Sequence, residues 1–144
     1  MGLEVKFYDR VEDSKLKFAV ILAKSDGKWV LCKHKQRDTW EFPGGHREPG
    51  ESIGETACRE LREESGSEEF IIQPVCAYSV TGKNRVNQTG KESFGMLYAA
   101  TVFSFASELC SEMERVELFE NLPDNWTYPE IQPKLLEEYL RRMA

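Results

Sequence analysis

The sequence predicts an α+β fold with helices covering a mixed β-sheet, and three observations carry this. Four runs of apolar, β-branched and aromatic residues read as strands, two segments show helical periodicity, and the two kinds of element alternate in no fixed order. The chain has 144 residues, enough for one core, so a single domain spanning 1–144 is expected.

Lys17–Ala23 and Lys28–Cys32 are joined by Ser25-Asp26-Gly27, which is hairpin chemistry, and predict two antiparallel strands. Residues 70–80 and 93–105 predict two longer strands, and the polar stretch 81–92 joins them as a loop. A helix is predicted over 52–65. Ser52 and Glu55 form a capping box after the Pro49-Gly50 turn, and Gly66 sits where a left-handed stop is wanted. A second helix begins near Tyr128-Pro129-Glu130 and runs to Arg142, with Leu135, Leu136, Tyr139 and Leu140 as its apolar stripe.

Apolar residues make up 40% and charged residues 31%, the balance of a soluble globular chain. A formal net charge of −6 repels a long nucleic acid, so an anionic ligand should be small and accompanied by a cation. The basic run Lys33-His34-Lys35-Gln36-Arg37 reads equally as a solvated strand end or, through Lys33 and Lys35, as a phosphate contact. Cys32, Cys58, Cys76 and Cys110 are scattered without a Cys-x-x-Cys pair, which argues for reduced core residues rather than a zinc site or a disulfide framework. No apolar run is long enough for a signal peptide or a membrane span, so a cytoplasmic location without a membrane partner is expected.

The helix over 52–65 is charged in costly places. At 100° per residue, Ile53, Ala57, Cys58 and Leu61 form the buried stripe, while Glu60, Glu63 and Glu64 border it. Glu60 repels Glu64 at i, i+4 and Glu63 at i, i+3, and the last turn already carries the negative end of the helix dipole. Each effect amounts to a few tenths to about 1 kcal/mol, and together they call for a cation. Clustered carboxylates suit magnesium, with manganese as an alternative, since such ions bind through a few carboxylates plus a substrate phosphate. The plainer alternative is a solvated helix with Arg59 paired to Glu63. Just before it, Trp40-Glu41-Phe42-Pro43-Gly44-Gly45 places two glycines where backbone can approach a ligand closely.

Gly45, Glu51, Arg59-Glu60-Leu61, Glu63-Glu64 and Gly66 fall on the pattern GX5EX7REUXEEXGU, with U aliphatic, and on these residues the chain resembles the Nudix hydrolases. The box occupies 45–67 and departs once, at Ser67, where an aliphatic residue is usual. The resemblance implies an α/β/α sandwich whose loop-helix-loop holds a metal and the substrate's diphosphate. By position it implies the Gly44 carbonyl, Glu60 and Glu64 as metal ligands, Glu63 as a direct or water-mediated one, and Arg59 as the group orienting Glu60. Glu51 would brace the loop through Arg59, and Gly45 would lie against the substrate. A further carboxylate from outside the box is expected at Glu112, with Glu114 next. Water would attack phosphorus in line with Glu60 as the favoured base, so Glu60, Arg59 and Glu63 form the catalytic set.

The wording around Gly44-Gly45 resembles nucleoside triphosphate pyrophosphohydrolases of that family, including those acting on oxidised guanine nucleotides. No proline occurs between Pro74 and Pro123, unlike the ADP-sugar group. The expected reaction converts a nucleoside triphosphate to the monophosphate and pyrophosphate. Dinucleoside polyphosphates, nucleotide sugars and a nucleotide sensor without turnover are the alternatives. The loops 81–92 and 121–128, with Trp126, are the expected pocket walls, although an aromatic there could equally belong to the core, and either a monomer or a homodimer is compatible with the sequence.

Overall fold

The computed structural model of the chain describes residues 3–84, 88–107 and 113–144. Its strands are β1 (Glu4–Tyr8), β2 (Leu16–Ser25), β3 (Lys28–His34), β4 (Trp40–Glu41), β5 (Gly44–His46), β6 (Ser67–Thr81), β7 (Ser93–Phe105) and β8 (Met113–Phe119). Helix α1 is Ile53–Ser65 and helix α2 is Gln132–Met143.

The strands form one sheet in the order β1-β6-β7-β2-β3-β4, with β5 on β2 and β8 on β3. β2 and β7 run parallel, and every other recorded pairing is antiparallel, so the sheet is mixed. The β2–β3 hairpin closes through Lys24 opposite Trp29 and Ser25 opposite Lys28. Asp26 and Gly27 both take positive φ in its turn, as a tight hairpin requires.

Alternation along the strands assigns the two helices to opposite faces. Ile21, Val30, Ala77 and Tyr98 pack in one cluster with Ile53, Ala57 and Leu61 of α1. Their neighbours Leu22, Leu31, Tyr78 and Leu97 pack in another with Leu135 and Leu136 of α2. Because side chains alternate along a strand, each residue pair feeds both cores, and the layers read helix, sheet, helix. Leu16 joins the α1 core although even-numbered Phe18, Val20 and Leu22 face α2. The register shift between Leu16 and Phe18 supplies the extra residue that turns it over.

The helix over 52–65 has the expected ends. Ser52 Oγ accepts from Glu55 N–H at 3.1 Å, Glu55 Oε1 accepts from Ser52 N–H at 2.8 Å, and Gly66 stands at φ 72°. Its buried face differs in one member: Thr56 is enclosed where Cys58 was expected, and Cys58 is half-buried. The Thr56 hydroxyl donates to Glu51 Oε1 at 2.8 Å, which lets a polar side chain sit inside. The C-terminal helix starts at Gln132 rather than near Tyr128. Tyr128 O accepts from both Ile131 and Gln132 N–H, so 128–131 is a tight turn that sets the helix direction.

Candidate functional site

Strand β5 lies on β2 with Gly45 opposite Ala19 and Gly44 opposite Val20. This brings the glycine pair over the C-terminal half of α1. Glu60 there fills the space beside Gly45: a Cβ on residue 45 would collide with the Glu60 carboxylate. At 44 the obstacle is backbone, the Ala19 carbonyl oxygen 2.5 Å from a would-be Cβ, so glycine is required there by close approach. One turn on, Glu64 Oε1 accepts the Gly44 N–H at 2.8 Å.

Arg59 knits the acids to the loop. Its Nε donates to Glu51 Oε2 at 2.6 Å, and its terminal nitrogens reach Glu51 Oε1 at 3.1 Å, Glu60 Oε2 at 3.2 Å and the His46 carbonyl at 2.9 Å. Glu63 pairs with Arg59 at 3.4 Å, but its side chain is 51% exposed against 12% for Glu60. Glu51 also accepts the Glu48 N–H at 3.0 Å, closing the turn before α1. Arg47 was not singled out by the motif. It holds the other side of this loop through Glu51 O, Asp13 and Leu16 O.

These surroundings sort the carboxylates. Glu51 titrates near 2, chiefly because Arg59 hydrogen-bonds its ionised form. Burial lifts Glu60 to about 7, against the pull of Arg59 and with added repulsion from Glu63. Burial lifts Glu64 to about 9, against the Gly44 hydrogen bond, and the negative charges of Glu60, Glu41 and Glu63 add to the rise. The protein thus holds two half-buried acids whose burial is not offset by Arg59 or by the Gly44 hydrogen bond. Among the described residues no three His, Cys, Asp or Glu side chains form a ready cluster around one point. Glu60 and Glu64 instead take Arg59 and Gly44 N–H as partners, and their hard oxygen donors fit a divalent cation.

A cleft opens beside the glycine pair, about 600 Å³ with its mouth included. Phe18, Phe42, Tyr78, Tyr128, Ile131 and Gln132 line it, with Gly44 and Gly45 at one end. Asn84 and Ser93 bring in the 81–92 connection. Trp126, expected as a wall, instead packs on Phe42 with ring centroids 5.8 Å apart and joins the α2 core. Lys33 and Lys35 are not among the cleft residues. Lys33 is in β3 opposite Trp40 and Arg115, and Lys35 lies exposed beyond the strand end. Glu112 and the side chain of Glu114 fall outside the described residues.

Glu41 is an acidic residue of the cleft that no motif singled out. It is 5% exposed, lines the cleft, accepts from Arg37 Nη1 at 3.2 Å and is raised above the ordinary carboxylate range chiefly by burial. Gln132 and Tyr78, on different elements, were equally invisible before folding.

A family model described as NUDIX domain matches residues 13–133. A Bacillus subtilis (strain 168) protein named "Putative 8-oxo-dGTP diphosphatase YtkD" is 34% identical over 84 residues, 58% of this chain and 52% of the relative. The chain therefore spans about half of that relative's length. Among solved structures, the Bacillus subtilis pyrophosphohydrolase BsRppH superposes with a TM-score of 0.78 at 24% identity, covering 99% of this chain and 91% of that one. A structure titled UDP-X diphosphatase gives 0.69 at 20% identity, covering 94% and 67%. At those identities the two structures bear on fold alone, and the folds agree.

Proposed function

The chain belongs to the Nudix family, and on that footing we propose that it hydrolyses the pyrophosphate linkage of a small nucleotide. The favoured substrate is a nucleoside triphosphate, canonical or oxidised in its base, converted to the monophosphate and pyrophosphate. The carrying observation is the pair of half-buried acids, Glu60 and Glu64, set against Gly44-Gly45, which also border an aromatic-lined cleft. Phosphates and base then have adjacent places of opposite chemistry. The name of the Bacillus subtilis relative supports the same substrate class.

Glu60, Glu64 and the Gly44 carbonyl would hold magnesium, or manganese in its place, with Glu63 acting directly or through water. A bound divalent cation would neutralise charge developing on the phosphates and lower the pKa of a water. Arg59 restrains Glu60 and is itself anchored by Glu51, so the acid stays aimed at the glycine loop. Glu60, held by Arg59 against the glycine loop, is the carboxylate we favour to take a proton from the attacking water. The water oxygen bonds to phosphorus as the bridging P–O bond breaks, and pyrophosphate departs.

A panel of canonical, oxidised, dinucleoside and sugar-linked nucleotides, assayed with and without magnesium, tests this reading. Release of pyrophosphate from triphosphates is the expected result. Turnover confined to sugar-linked or dinucleoside substrates would refute the triphosphate assignment, and tight binding without turnover would refute hydrolysis.

A further inference from the structure

Two polar groups on the cleft wall are enclosed and have no protein partner there. Gln132 is 4% exposed, and its Oε1 accepts the Phe42 N–H at 2.8 Å. A backbone N–H can be met only by the amide oxygen, so this bond fixes which end of the amide faces which way. The Gln132 NH2 has no hydrogen-bond partner among the described residues, and none of their fully enclosed side-chain nitrogens or oxygens lacks one. The NH2 must therefore reach open space, and the open space that Gln132 borders is the cleft. The same reasoning applies to the Tyr78 hydroxyl: the residue is 1% exposed, its ring meets Phe18 edge-on at 5.6 Å, and its oxygen has no described partner. The third enclosed polar group, Glu41, is already engaged by Arg37 and Thr127.

The two free groups differ in what they select. A phenol hydroxyl both donates and accepts, so Tyr78 tolerates either kind of partner. The Gln132 amide has its acceptor committed to Phe42 and offers only N–H. A ligand donor placed there would leave two donors facing each other in an enclosed site, at a cost of roughly tenfold in affinity or more. Resting on the nucleotide reading above, we infer that Gln132 makes the cleft select nucleobases whose edge presents a carbonyl oxygen over those presenting an amino group. Gln132 is a specificity residue, and its place ahead of Pro133 in the first turn of α2 keeps its backbone fixed.

Inosine, purine riboside and adenosine triphosphates differ only in carrying oxygen, hydrogen or an amino group at the purine 6-position, so they isolate this contact. With the wild-type chain and magnesium, kcat/KM should fall in that order, with at least about a tenfold span from inosine to adenosine. In Gln132→Met, which removes the donor together with the acceptor of the Phe42 N–H, the span should shrink to within about twofold. Equal wild-type rates on all three overturn the inference while leaving triphosphate hydrolysis intact, and this holds even if the variant does not fold. A preference retained in a folded Met variant overturns the role of Gln132. Absence of turnover or binding for all three overturns the nucleotide reading and the inference with it.

Discussion

Gly45 and Glu60 occupy space that only one of them can fill. In Gly45→Ala the new methyl would stand on the Glu60 carboxylate, so the acid must swing away from the loop. Turnover is expected to fall at least tenfold, while stability in urea should change little, because the displaced atoms are the end of a flexible side chain. If this variant kept wild-type kcat, Glu60 would not act where it is found. Glu64→Gln keeps volume and still accepts the Gly44 N–H, so the fold should be retained. Loss of a charged ligand should nevertheless lower turnover by orders of magnitude, and near-normal activity would count heavily against Glu64 as a metal ligand. At this scale the motif residues were legible, since Glu51, Arg59 and Glu60 are set by spacing along one loop and helix. Glu41, Tyr78 and Gln132 were not, because they are distant in sequence and nothing about them singly suggests a shared cleft.

Helix α1 is specified at both ends, and its ends are where its stability can be tested without touching the chemistry. Ser52→Ala removes the side-chain acceptor for Glu55 N–H and should cost about 1 kcal/mol. Gly66→Ala forces a Cβ onto a residue at φ 72° and should cost a similar amount. The two losses should add in urea unfolding, the sites being separated by the length of the helix. A double variant as stable as wild type would show that tertiary packing alone fixes the helix. Periodicity located α1, the β2–β3 hairpin and the two longest strands, β6 and β7, because each is long enough to show its period. It did not resolve β1, β4, β5 and β8, of five, two, three and seven residues, nor the start of α2. Cys58 shows the limit of a helical wheel: it is half-buried because the sheet meets α1 along Ile53, Ala57 and Leu61, with Thr56 on the shoulder.

For the whole molecule, the half-buried acids couple folding to pH and to metal. Glu60 and Glu64 bind protons more tightly in the folded chain, near 7 and 9, than at the ordinary value of 4.5. Their contribution to stability is therefore full below about pH 4.5 and is lost as pH rises through about 7 and then 9. The metal-free protein should melt at a lower temperature at pH 8 than at pH 5.5. Magnesium should raise Tm, and by more at pH 8, because it binds the ionised acids. A Tm indifferent to magnesium at pH 8 would argue against a cation among these groups. Glu51 works in the opposite direction: its support for the folded loop is full above about pH 4.5 and is lost as pH falls from there through about 2.

The sequence alone determined the box and the capped helix, and its clustered carboxylates pointed to a cation, because these depend on local spacing and on charges a few residues apart. Tertiary structure alone decided which residues share the cleft: Phe18, Phe42, Tyr78 and Gln132 come from β2, the β4–β5 connection, β6 and α2. It also decided that Trp126 packs in the core and that Gln132 commits its oxygen to Phe42. A side chain's partner across the fold is chosen by register and layer packing, which no window along the chain contains.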